Sequence, residues 1–167
     1  MKTIDNPYVN PIYNYDFPDP SVLLSQDGWY YAYATQTIQP GENWINIQAI
    51  RSPDLVHWET LSDVLPHKPS WASQTQRFWA PFVIERGEKC YLFFSAQLDH
   101  EHCMALGVAL SDSPAGPFIA TDQPLIAGKG YTHIDPFVYL EVNNLVAYLF
   151  WGSDHAPIYA QELDQDW

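Results

Sequence analysis

Two aspartates stand in the same local setting far apart in the chain. Asp19 and Asp135 each precede a proline, as Asp19-Pro20 and Asp135-Pro136, and a third dipeptide, Ala80-Pro81, falls between them. The prolines at 20, 81 and 136 are spaced by 61 and 55 residues. If each dipeptide opens the innermost strand of one repeated unit, radial stacking of the units brings both carboxylates to the mouth of one pocket. Facing carboxylates raise each other's proton affinity, so one is kept ready as a base while the other tunes the site. Hydrolysis of a glycosidic bond needs such a set. In an inverting enzyme one carboxylate activates water and a carboxylic acid roughly 6.5–9.5 Å away protonates the leaving oxygen. A lone Asp-Pro often does no more than initiate a turn before a strand. Two in register are harder to explain that way.

The elements that must position them read as short strands. Trp29 to Ala34 follows the hairpin signal Asp27-Gly28, with Ser21 to Leu24 on its other side. Cys90 to Ser95 follows Arg86-Gly87-Glu88, with Phe82 to Ile84 before it, and Leu145 to Trp151 follows Asn143-Asn144, with Phe137 to Leu140 before it. A second repeat runs in phase: Ser52-Pro53-Asp54-Leu55-Val56-His57-Trp58 closes one unit and Ser111 to Phe118 closes the next. Each unit is expected to be a short first strand, an aromatic second strand, a third strand (Ile45 to Arg51; Met104 to Leu110), a Ser/Asp/Pro turn and a short outer strand opening at Trp58 or Phe118. Four-stranded units at such a period predict an all-β fold of the β-propeller type. A β-sandwich also has short strands, but it does not repeat one dipeptide and one closing turn in phase. The expected blades cover about 19–65, 78–122 and, in part, 131–167. Three are fewer than the roughly four to eight that close a ring, so an incomplete ring is expected.

Composition agrees and excludes alternatives. The 167 residues carry a formal net charge of −13, a surface that repels phosphate backbones and disfavours nucleic acid. No run of about 18 apolar residues predicts a membrane-spanning helix. The start, Met1 to Pro7, has one lysine and no apolar stretch behind it, so a cytoplasmic protein, or one already trimmed of its leader, is expected. Cys90 and Cys103 lack zinc-site spacing and are expected as free thiols, with a single bridge as the alternative. The 7 Trp, 11 Tyr and 8 Phe suit both a tight aromatic β core and stacking on sugars. No cofactor or metal is implied.

The residues also resemble a known family, the five-bladed propeller glycosidases of glycoside hydrolase family 43, which include arabinanases, α-L-arabinofuranosidases and β-xylosidases. Asn10-Pro11-Ile12 with Asp16-Phe17-Pro18-Asp19-Pro20-Ser21-Val22-Leu23 is similar to the first-blade signature, in which Asp19 matches the catalytic base. Ser52 to Trp58 resembles the blade-closing pattern, and Phe78-Trp79-Ala80-Pro81 the second-blade motif. Tyr131 to Pro136 resembles the segment whose aspartate, here Asp135, modulates the pKa of the acid and orients substrate. Two departures follow. Phe82 stands where the family usually has an aspartate, which removes a carboxylate near the pocket. The family's general acid is a glutamate of a later blade, and none of Glu85, Glu88, Glu101, Glu141 and Glu162 lies in the matching motif, so the acid is unassigned in this chain.

The resemblance implies a single displacement with inversion at arabinose- or xylose-containing chains: Asp19 deprotonates water, a separate glutamate protonates the leaving oxygen, and Asp135 raises that glutamate's pKa. Phe17 and Trp79 are candidate walls for the sugar ring, or else caps on the channel mouth. His133 is a candidate substrate ligand, or else a structural residue. A carbohydrate-binding remnant without turnover, a fructoside-cleaving propeller and a structural fragment are the competing readings. Self-association, or a second polypeptide, would cover the open blade faces.

Overall fold

A computed structural model describes residues 9–38, 43–141 and 146–164. Its strands are β1 (Ser21–Leu24), β2 (Tyr30–Ala34), β3 (Thr37–Ile38), β4 (Trp44–Ile45), β5 (Gln48–Ser52), β6 (Glu59–Thr60), β7 (Phe78–Arg86), β8 (Lys89–Gln97), β9 (Met104–Ser111), β10 (Ile119–Ala120), β11 (Ile126–Gly128), β12 (Phe137–Leu140), β13 (Ala147–Trp151) and β14 (Tyr159–Leu163). Among the described residues the helical content is a single 3₁₀ turn, Ser70–Ala72. Three antiparallel sheets follow one another in the order β1-β2-β5-β6, β7-β8-β9-β10 and β12-β13-β14. The chain is all-β, three blades of an incomplete propeller.

The register proves the repeat residue by residue. Ser21 lies opposite Tyr33, Phe82 opposite Phe93, and Phe137 opposite Phe150, each pair opening just after its proline. Tyr33, Phe93 and Phe150 are therefore equivalent. Tyr33 is buried in the core between the first two blades with Phe78, Val83, Leu92 and Phe94. Phe93 is buried one seam later with Leu106, Val138, Leu149 and Trp151. Strand alternation sends successive side chains of an inner strand to opposite neighbours: Val83 joins the first seam while Phe82 and Ile84 pack on the second. The same alternation leaves Val22 and Leu24 57% and 59% exposed on the first blade, and Phe137 and Tyr139 48% and 49% exposed on the third. Among the described residues no further sheet covers those two faces.

Local chemistry explains the closing turns. The Ser52 hydroxyl accepts from the Asp54 and Leu55 amides, and Asp54 Oδ1 accepts from the Val56 and His57 amides. These bonds hold the Asp54 carboxyl well below its ordinary range. In the second blade Ser111 and Ser113 hydroxyls take the Ser113 and Ala115 amides instead. Serine and aspartate thus supply the acceptors that a chain leaving a sheet lacks.

Several expectations shift. The third strand of the first blade begins at Gln48 rather than Ile45, because Trp44–Ile45 turns back on Thr37–Ile38 as a separate hairpin. The inner strand of the second blade starts ahead of its dipeptide, and the register slips between Trp79 and Phe82. The missing proline donor makes such a bulge the natural outcome. The outer strands are two residues long and begin one residue late, at Glu59 and Ile119, since Phe118 is drawn into the core. An additional strand, β11, pairs with β9. Glu85 lies within β7, and Glu162 lies near the end of β14. The turn at Asn143-Asn144 lies outside the described residues. Cys90, buried, and Cys103, half-buried, are free thiols.

Gly107 lies opposite Phe94, whose ring stacks on Trp71 at 6.0 Å. A Cβ at 107 would stand 2.5 Å from Phe94 Cζ and 2.8 Å from Trp71 Cζ2. Gly107→Ala is therefore expected to destabilise the fold by about 1–3 kcal/mol through overpacking, read as a lower midpoint in urea unfolding.

Candidate active site

The three dipeptides share a backbone conformation. Asp19, Ala80 and Asp135 have φ of 52°, 44° and 60°, all left-handed. A following proline crowds the right-handed region, and the left-handed one turns the chain sharply before it enters the strand. Aspartate tolerates that region better than most residues, while a β-carbon such as that of Ala80 makes it unfavourable by about 1–2 kcal/mol. Blade geometry is thus kept at position 80 although the carboxylate is not.

A second set of equivalent positions meets these residues. Two residues beyond Tyr33, Phe93 and Phe150 stand Thr35, Ser95 and Gly152. The Thr35 amide donates to Pro18 O at 3.1 Å and the Gly152 amide to Ile134 O at 3.2 Å, the same bond in two blades. The Thr35 hydroxyl donates to Asp19 Oδ2 at 2.6 Å and accepts from the Ala80 amide, one blade on, at 2.9 Å. The Ser95 hydroxyl accepts from the Asp135 amide, again one blade on, at 3.0 Å. These hydroxyls escaped notice in the sequence. Carrying the dipeptide alignment along the hairpins, to Tyr33-Ala34-Thr35 and Phe93-Phe94-Ser95, would have found them.

Asp135 has its pKa raised from the ordinary 3.8, first by loss of hydration against the packed strands and then by the negative charge of Asp19. The second cause is a charge carried 116 positions earlier in the chain. At the position equivalent to Thr35 the third blade has Gly152, which offers no hydroxyl to Asp135.

The remaining candidates are placed as follows. Phe17, half-buried, meets Tyr13 edge to face at 5.4 Å. Trp79 stacks on Tyr131 at 5.9 Å with the Arg77 guanidinium over its ring, and Arg77 donates to the Tyr131 hydroxyl at 2.6 Å. Tyr131 and Arg77 thus join Trp79 in one exposed-to-half-buried cluster. His133 packs on the backbone of Gly128, stacks on Tyr159 at 5.9 Å, and its pKa is lowered by burial. Its ring fills a seam between the second and third blades. Phe82 meets Phe137 at 4.8 Å, so the residue in place of the family's aspartate serves the seam between blades.

Two outcomes follow for the acidic pair. Asp19→Asn removes a negative charge and should lower the Asp135 titration midpoint, followed by carboxyl ¹³C shifts. Because Asp135 binds its proton more tightly folded than unfolded, its contribution to stability is intact below pH 3.8 and is lost as pH rises through the raised value. Asp135→Asn, which keeps a residue tolerant of φ 60°, should therefore melt higher than the parent at pH 7 and lose that advantage below pH 3.8.

Comparison with known proteins bears on the family and the fold. The family model described as glycosyl hydrolases family 43 matches residues 8–167. Xylosidase/arabinosidase 43A of Humicola insolens is 38% identical over 83 residues, 50% of this chain and 23% of that protein. The extracellular endo-alpha-(1->5)-L-arabinanase of Thermotoga petrophila is 25% identical over 179 residues, 87% of this chain and 36% of that protein. The crystal structure of a thermostable family-43 glycoside hydrolase superposes with a TM-score of 0.74 at 27% identity, covering 96% of this chain and 52% of the other. The chain spans about a quarter to a third of these two curated relatives and about half of the solved one. With three sheets, two in-register aspartates and a match running from residue 8 to 167, the chain belongs to glycoside hydrolase family 43.

Proposed function

We propose that this chain is the base-bearing part of a glycosidase that cleaves arabinose- or xylose-containing chains with inversion. The observation that carries the reading is that Asp19 and Asp135 occupy equivalent left-handed bends at the entrances of the first and third inner strands, tied from blade to blade by the Thr35 and Ser95 hydroxyls. In this reading Asp19 takes the proton of a water attacking the anomeric carbon, and Asp135 acts by charge on the acid opposite. The names of the relatives, xylosidase/arabinosidase and arabinanase, support pentose chains as the substrate class. Trp79 and Tyr131 would supply the apolar wall for a sugar face.

The acid comes, on this reading, from outside these 167 residues. Glu85 lies towards the far end of β7 from Ala80, where it accepts from the Ser25 hydroxyl at 2.6 Å and the Gln26 amide at 3.0 Å. Glu141 lies beyond the far end of β12 from Asp135. The uncovered faces at Val22 and Leu24, and at Phe137 and Tyr139, are where further blades of the whole protein would pack.

The test is hydrolysis of aryl α-L-arabinofuranoside and aryl β-xyloside by the whole protein, with the first-formed anomer read by ¹H NMR. The inverted anomer is expected, and Asp19→Asn should lower kcat by about 10²–10⁴-fold. A retained anomer, or an unchanged rate in the variant, would remove the assignment, and sugar binding without turnover would make the chain a binding remnant.

A further inference from the structure

We propose that Thr35 is a positioning residue for Asp19, and that its hydroxyl makes the setting of that carboxylate depend on how the second blade is seated on the first. The proposal rests on the reading of Asp19 as the base. A threonine hydroxyl has one proton to give and lone pairs to receive. Here the proton goes to Asp19 Oδ2 at 2.6 Å, a short bond to a carboxylate, and the oxygen receives the Ala80 amide at 2.9 Å. A hydroxyl that donates to an anion is a better acceptor, so the two bonds reinforce each other. Thr35 is buried, which shelters both from water, and its β-branch restricts χ1.

The Ala80 amide belongs to the next blade and is held firmly there. Beside it the Gln36 amide donates to Phe78 O at 3.0 Å, and Gln36 Oε1 accepts from the Phe78 amide at 2.9 Å. Residues 35 and 36 therefore grip the first turn of β7 at three points, and one of the three is shared with Asp19. The second blade shows what the arrangement lacks without an acid. Ser95 receives the Asp135 amide as Thr35 receives that of Ala80, but its own blade has Ala80 where the first has Asp19, so the hydroxyl has no carboxylate to orient. The staple between blades recurs, and the link to a carboxylate is particular to Thr35.

The test uses amide ¹H–¹⁵N spectra of the whole protein across the acid range, together with its kinetics. The Ala80 amide proton should move with pH in the parent and in Thr35→Ser, and should stop following the carboxylate in Thr35→Val and in Asp19→Asn. Thr35→Val should lower kcat by about 10- to 100-fold with KM little changed, and Thr35→Ser should restore most of it. A pH-dependent Ala80 shift that survives in Thr35→Val or in Asp19→Asn overturns the link. If Thr35→Val does not fold, the Asp19→Asn spectrum, in which Thr35 is intact, decides the same point. Loss of the shift with kcat unchanged overturns the positioning role and leaves a staple between blades. An Asp19→Asn protein that hydrolyses normally, with the shift lost as expected, overturns the base assignment while the link itself stands.

Discussion

A residue that must turn left-handed ahead of a proline is the constraint on which this architecture hangs. At Asp19, Ala80 and Asp135 the chain bends before entering an inner strand, and the proline that follows withholds a donor from the ladder. The bend lets the amide of the bent residue reach across to the preceding blade, where Thr35 and Ser95 receive it. Apolar packing supplies the bulk of the cohesion, through rings such as Tyr33 and Phe93 that occupy equivalent places in successive seams. Packing alone leaves sliding between sheets only weakly opposed. The directional bonds at the channel end fix it where the acidic groups sit.

The two aspartates are equivalent in the repeat and different in their surroundings. Asp19 is gripped by a hydroxyl from its own blade, whereas Asp135 is held through its backbone amide, with its pKa raised by lost hydration and by the charge of Asp19. One scaffold position thus produces two chemical characters, and the difference traces to Thr35 against Gly152. Trp79, Tyr131 and Arg77 are held to one another by stacking and by the bond from Arg77 to the Tyr131 hydroxyl.

Much of this was legible because the repeat is written in punctuation. Proline dipeptides, an Asp-Gly hairpin and serine-rich turns mark backbone events that few other residues permit, so blade order and the acidic pair emerge from spacing. The hairpin at Trp44, the start of β7 at Phe78 and β11 were not legible, since each depends on tertiary pairing between short segments with no periodic signature. Thr35 and Ser95 were hidden for another reason: a lone hydroxyl beside an aromatic strand has no distinctive pattern until the register is known. At Phe82 the sequence shows a carboxylate absent, and the fold adds that the ring packs on Phe137.

Ala80 has a consequence for how such a scaffold changes over time. It occupies a bend that suits aspartate better than alanine, its amide is already anchored, and a buried serine hydroxyl stands where the first blade keeps its threonine. An acidic side chain could enter there by one exchange without remodelling the chain path, and all three equivalent bends would then carry a carboxylate. The blade plan therefore keeps an unused seat for chemistry, and lineages built on it can alter the number of ionisable groups around the axis while leaving every strand where it is.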